Sequence, residues 1–112
     1  MTDAELLALF RLAESDRVER KENIANSDRI RQAICAHAND LPNHHETGLV
    51  FVGQRDDLAC AGLNIDDRLL QTIAGYRAEG RILPFPTMSV RRATFDGCPV
   101  AIIEVEPSDN PP

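Results

Sequence analysis

The stretch Glu14-Ser15-Asp16-Arg17-Val18-Glu19-Arg20-Lys21-Glu22 decides how the chain is read, because seven of its nine residues are charged and Val18 alone is plainly apolar. A segment of that composition is no ordinary core element. It is either a solvated helical surface or a strand that turns Val18 inward and presents two carboxylates and a lysine outward. Upstream, Thr2-Asp3-Ala4-Glu5 has the form of a capping box and opens a helix with Leu6, Leu9, Phe10 and Ala13 on one face, expected to end near Glu14. Downstream, Ser27 is placed to cap a second helix reaching about Asn39, in which Ile30, Ala33, Ile34, His37 and Ala38 recur at helical spacing.

Asp40 to Glu46 holds Pro42 and polar turn formers and reads as a loop. Leu49-Val50-Phe51-Val52-Gly53 is a short, continuous apolar run, the pattern of a strand buried on both faces. Arg55-Asp56-Asp57 then predicts a turn into an antiparallel partner strand, Leu58 to Ala61, closed by Gly62. Asp66 or Asp67 caps a third helix carrying Leu69, Leu70, Ile73 and Tyr76 and ending at Gly80. Pro84 and Pro86 break the chain, and Met88 to Phe95, an Asp96-Gly97 turn and Cys98 to Val105 form a second hairpin. The expected architecture is α/β (α+β): one domain with a mixed, mostly antiparallel sheet and about three helices.

At 112 residues, 43% hydrophobic and 27% charged, the chain has the balance of a globular domain with one core, and without Trp that core is aliphatic. No run has the length of a membrane span, and the N-terminus lacks the regions of a signal peptide, so the expected location is cytoplasmic and no membrane partner is expected. Cys35, Cys60 and Cys98 are odd in number and widely spaced, which predicts buried free thiols rather than a disulfide framework. A zinc site drawn from Cys35, His37, His44 and His45 fits no usual ligand spacing, and His37 falls where a helix buries it.

The net charge is −6, but residues 96–112 carry Asp96, Glu104, Glu106 and Asp109 and no base. The rest of the chain therefore holds 14 acids against 12 bases and is nearly neutral. Eleven of the twelve bases are Arg, the side chain suited to bidentate phosphate contacts, although surface carboxylates take up arginines equally well.

Glu14-Ser15-x-x-Val18-Glu19-x-Lys21, Ile34-Cys35-Ala36-His37-Ala38-Asn39, Val50-Phe51-Val52-Gly53 with an acidic turn, Gly62-Leu63, Ile82-Leu83-Pro84 and Ile102-Ile103-Glu104-Val105 follow one another in an order that resembles the Schlafen AlbA-like domain. The resemblance covers roughly residues 12 to 107 and implies a helix before the charged stretch and a strand through Val18 and Lys21. It also implies a nucleic-acid-binding, and in particular DNA-binding, module of bacterial transcriptional regulators or helicase-related proteins, often fused to other domains. Family members usually continue past the Pro-Pro end with further strands, so the chain is expected to be a shortened domain. Departures include His37 where an aromatic residue is usual, Thr47-Gly48 for a Gly-Gly pair, a longer loop from Asp40 to Glu46, and Gln54-Arg55 for Val-Asp after the strand glycine.

In the Schlafen branch, the two glutamates of the first motif and an aspartate after the central strand are associated with metal-dependent ribonuclease activity. Glu14 and Glu19 match, and the third carboxylate would be Asp56 or Asp57 across a shifted turn. Mg²⁺ or Mn²⁺ would need oxygen ligands at about 2.1 Å. Five extended residues span about 17 Å, so Glu14 and Glu19 share an ion only if the chain turns between them. The leading expectation is binding without catalysis and without a cofactor: backbone contacts to DNA or RNA from Arg17 and Lys21 on one face of the first strand, with Arg91 and Arg92 on opposite faces of the late hairpin. No Walker loop is present, so ATPase or helicase activity would lie outside these residues. A protein-interaction or sensor module is the third reading: arginines paired one by one with carboxylates would favour it, and a contiguous arginine patch would favour nucleic acid.

Overall fold

Thr2 opens the chain's first element as its capping box requires. In the computed structural model, which describes residues 1–13, 15–39, 46–76 and 87–107, the Thr2 hydroxyl accepts from the Glu5 amide at 3.2 Å and the Glu5 carboxylate accepts from the Thr2 amide at 3.3 Å. Helix α1 (Asp3–Phe10) follows. The charged stretch then becomes strand β1 (Val18–Lys21), with Val18 and Arg20 buried and Glu19 exposed. After it come α2 (Ser27–Asn39), β2 (Gly48–Val52), α3 (Asp67–Gly75), β3 (Met88–Phe95) and β4 (Cys98–Val105).

The four described strands form one mixed sheet in the order β1-β2-β4-β3. β1 runs parallel to β2, Val18 opposite Leu49 and Lys21 opposite Val52, which is the pairing a helical crossover such as α2 permits. β4 lies antiparallel to both β2 and β3. β2 is buried at all five positions, as its unbroken apolar run predicts. On one face of the sheet α2 and α3 bring Ile30, Ile34 and Ile73 against Val50, Val52 and Ile103. On the other, the short α1 brings Leu6 and Phe10 against Val18, Leu49, Phe51 and Ile102, with the Phe10 and Phe51 rings edge to face at 5.5 Å. Each of these side chains contributes roughly 1.5–3 kcal/mol by leaving water.

Several expectations are corrected. α1 stops at Phe10, short of Glu14, because Arg20 donates to the carbonyls of Leu9, Phe10 and Leu12 and so ends the helix early. Asn26, one residue before Ser27, accepts from the Arg29 amide at the start of α2. Leu58 to Ala61 form no strand; a single antiparallel bridge joins Gln54 and Cys60, and the segment between them turns tightly with Leu58 at φ 75°. Cys60 and Cys98 are not free thiols but a disulfide, with Cα atoms 5.6 Å apart. Their 38-residue separation hides a neighbourhood made by the sheet, since Cys60 follows β2 and Cys98 begins β4, the strand beside it. The predicted end of α3 at Gly80 and the loop from Asp40 lie outside the described residues.

The late hairpin is as predicted: Asp96 and Gly97 both have positive φ, the conformation of a two-residue turn whose twist matches the strands. His37, one of the departures noted in the sequence, and Gly48, the glycine kept from the usual pair, explain one another. A Cβ on Gly48 would overlap the His37 ring, so the glycine exists to let that ring lie on the β2 backbone.

Candidate functional site

β1 is an edge strand, and its two faces have opposite chemistry. Glu19, exposed, and Lys21, half-buried, lie on one face, beside Val50 and Val52, and approach one another at 3.9 Å, with Arg17 just before them. The Arg17 guanidinium donates to the Thr47 carbonyl at 3.1 Å and meets Glu46 at 3.2 Å, which fixes it against the start of β2. The Arg17 amide donates to the Ser15 hydroxyl at 3.1 Å, closing the turn by which the chain enters the strand.

The inward face carries Arg20, the charged residue that sequence reasoning passed over. Its Nε donates to Gln54 Oε1 at 2.7 Å, and one terminal nitrogen reaches the carbonyls of Leu9 at 3.0 Å, Phe10 at 3.3 Å and Leu12 at 2.7 Å. Gln54, fully buried, donates in turn to the carbonyls of Phe10 at 3.0 Å and Leu58 at 3.2 Å. A cation thus sits at the carbonyl end of α1, where the helix dipole and its unpaired acceptors favour positive charge. Burial pulls the Arg20 guanidinium below its ordinary value, and the Asp56 carboxylate opposes that. The signal for this network was present in the sequence as Gln54 replacing Val after the strand glycine, an amide where an apolar side chain is usual.

A cleft of about 440 Å³ runs along the free edge of β1 and is lined by Ser15, Asp16, Glu19, Arg20 and Asp56, among others. Residues from both faces of the strand line it, so it wraps the edge rather than lying on either face. Of the two aspartates the sequence left open, Asp56 lines the cleft. Asp57 is engaged in the turn, where its carboxylate accepts from the Ala59 amide at 3.0 Å. Arg55 turns away and meets Glu22 at 3.9 Å. Glu14 lies outside the described residues, as do His44 and His45. Among the described residues no three His, Cys, Asp or Glu side chains are grouped so as to hold a metal ion.

Arg91 and Arg92 sit on β3, the opposite edge of the sheet, three strand spacings or about 14 Å from β1. They alternate to opposite faces as predicted. Arg91 donates to Asp3 at 3.1 Å, at the start of α1, and Arg92 donates to the Ile65 carbonyl at 2.8 Å and approaches Asp67 at 3.5 Å, at the start of α3. Arg11 pairs with Asp96 and Arg31 with Asp28. Arg29 and Arg68 are exposed on α2 and α3. The arginines therefore do not gather into one patch, and most of those described meet a carboxylate.

The family model described as Schlafen, AlbA_2 matches residues 14–112. A search of the curated proteins found no match. Among solved structures, the chain is similar to the DIP2311 protein from Corynebacterium diphtheriae, at 20% identity and a TM-score of 0.60. That likeness covers 96% of this chain and 25% of the other, so the chain spans a quarter of that protein's length. No helix among the described residues is long and apolar enough to cross a membrane.

Proposed function

The chain belongs to the Schlafen, AlbA_2 family, and from that premise we propose that it is a nucleic-acid-binding domain that engages DNA or RNA through the edge of β1. Family membership suggests a nucleic-acid-related role. The observation that carries the local assignment is the cleft along β1, with Ser15 among its lining and the Arg20 cation in its wall; Arg17 and Lys21 flank its lining residues Val18 to Arg20 along the chain. Because the remaining arginines are largely ion-paired, the contact is local rather than a broad basic surface, and its salt dependence should be that of a few phosphates. The same reading places the domain in the cytoplasm, within a longer bacterial protein of the transcriptional-regulator or helicase-related kind, with any ATPase activity on a separate domain. A salt-titrated binding assay against single- and double-stranded DNA and RNA tests it. Binding that weakens steadily with salt is expected, and no binding at low salt would refute the proposal.

A second reading, metal-dependent cleavage, is favoured by Glu19 and Asp56 both lining that cleft. Their carboxylates are the hard oxygen donors that Mg²⁺ or Mn²⁺ takes, and Glu14 would supply the third. Such an ion would polarise a phosphodiester and activate water. Around it, this chain's residues would orient the phosphate through Lys21 and hold the Asp56 turn in place through Gln54. Repeating the assay with each metal distinguishes the readings: cleavage that disappears in Glu19→Gln selects the nuclease, and binding without cleavage selects the first. The pairing of surface arginines with carboxylates favours a third, a module that docks on another protein; no nucleic-acid binding even at low salt would leave this one standing.

A further inference from the structure

The turn that carries Asp56 to the cleft has an unusual set of attachments. It is bracketed by two glycines with positive φ, Gly53 at 113° and Gly62 at 71°, backbone conformations that serve as pivots because other residues rarely adopt them. Between them Leu58 is held at φ 75°, a left-handed conformation that costs a bulky residue about 1–2 kcal/mol. Such strain persists only where the surroundings impose it. Within the turn the Arg55 amide donates to Ala59 at 2.9 Å and the Leu58 amide to Arg55 at 2.9 Å; at its base the Ala61 amide donates to Gly53 at 2.9 Å. Those bonds are local. At its entry the segment is tied to the rest of the molecule by the Gly53 amide on the Lys21 carbonyl, by Gln54 on Arg20 and Phe10, and by the exposed Arg55–Glu22 pair; at its exit the tie is the Cys60–Cys98 disulfide. Of the two sulfur-bearing residues, Cys98 is buried and Cys60 is exposed.

We propose that the Cys60–Cys98 disulfide is a redox latch: oxidised, it fixes the Gly53–Gly62 turn and places Asp56 at the cleft; reduced, it lets the turn move and weakens the cleft's hold on its ligand. The step balances with a dithiol as reductant. One thiolate of the dithiol attacks the exposed Cys60 sulfur, the S–S bond breaks, and Cys98 leaves as a thiolate that takes a proton. The second thiolate of the dithiol then attacks the mixed disulfide, releasing Cys60 as a thiol and leaving the dithiol oxidised to a cyclic disulfide. Two electrons pass from reductant to protein, and the buried Cys98 is reached without exposing it. In the reducing compartment proposed above, disulfides are as a rule transient and redox-sensing rather than structural. Cys98 belongs to the buried cluster of Phe10, Phe51, Phe95 and Val100, so its side chain has apolar surroundings apart from the bond to Cys60.

The effect on ligand rests on the proposed site, but the motion of the turn does not, and the test reads them separately. Amide hydrogen exchange of the whole chain is measured before and after treatment with dithiothreitol, alongside the Kd for an oligonucleotide. Reduction is expected to speed exchange at Arg55, Leu58 and Ala61 by about tenfold or more, leaving Val50 and Ile103 near their oxidised rates, and to raise Kd several-fold. Cys60→Ser should behave as the reduced protein in both conditions and ignore the reductant. Acceleration throughout the sheet would make the disulfide a structural staple and overturn the proposal, as would an unchanged turn. A turn that loosens while Kd stays constant would overturn the regulatory half, and absence of any oligonucleotide binding would refute the function of the cleft while the exchange data still decide the latch.

Discussion

The two edges of the sheet use the same side chain for opposite ends. On β3, Arg91 and Arg92 each reach an aspartate at the first residue of a helix, Asp3 of α1 and Asp67 of α3, and so pin a helix to each face of the sheet. Carboxylates favour those helix starts, and the arginines complete partly exposed pairs worth little individually. On β1, Arg20 is buried with no carboxylate in contact among the described residues and satisfies main-chain acceptors at the end of α1, while Glu19 lines an open cleft and Arg17 and Lys21 flank it along the strand. One edge spends its arginines on structure one pair at a time. The other concentrates its structural need in a single buried cation and leaves its outward charges near a space a ligand can enter.

Removing that buried cation should give the largest effect. Arg20→Ala removes the donor to Gln54 Oε1 and to the carbonyls of Leu9, Phe10 and Leu12, although Phe10 keeps the Gln54 side-chain N–H and Leu9 the Leu12 amide, and should lower stability by on the order of 3 kcal/mol in denaturant unfolding. Arg20→Lys should recover only part of this, because an ammonium cannot span the fork that the guanidinium fills. A loss below about 0.5 kcal/mol for Arg20→Ala would erase the distinction between the edges.

Next in size is the effect on binding. Lys21→Ala should leave stability nearly unchanged, weaken oligonucleotide binding several-fold and lower the salt slope by about one. Arg91→Ala together with Arg92→Ala should leave the slope alone and lower stability by about 1 kcal/mol or less. If the β3 pair changed the slope and Lys21 did not, the roles of the edges would be reversed.

The smallest effect concerns the tie between α1 and the late hairpin. The Arg11 hydrogen bonds, and then its charge, hold the Asp96 carboxyl below its ordinary range. A carboxylate with a lowered folded value contributes stability that is complete above its unfolded value, about pH 4, and is lost as pH falls through the folded one. The small stability difference between wild type and Arg11→Gln should therefore be present at pH 6 and shrink as pH falls below about 4, as followed by thermal melts across pH.

Much of this was legible in the sequence where a local signal fixes a local structure. The Thr2 to Glu5 capping box, the apolar run of β2, the Asp96-Gly97 turn and the alternation of Arg91 and Arg92 each depend on neighbours along the chain. The charged stretch became a strand once the family resemblance placed it. What could not be read depends on neighbours across the sheet. Arg20 looked like one more surface charge because its acceptors lie on α1 and after β2. Cys60 and Cys98 looked unpaired because their proximity follows from β2 lying beside β4. Leu58 to Ala61 looked like a strand because apolar residues follow a turn, whereas Gln54 and the disulfide hold that segment as a loop. The same blindness left Asp56 and Asp57 indistinguishable until the turn separated them.

The central claim, that the edge of β1 is where this domain meets nucleic acid, is tested most directly by following backbone amide resonances of the oxidised chain as an oligonucleotide is titrated in at low salt. Shifts concentrated at Ser15 to Lys21 and Gln54 to Ala61 are expected, with β3 silent. Shifts confined to β3 and α3, or none at all, would contradict it.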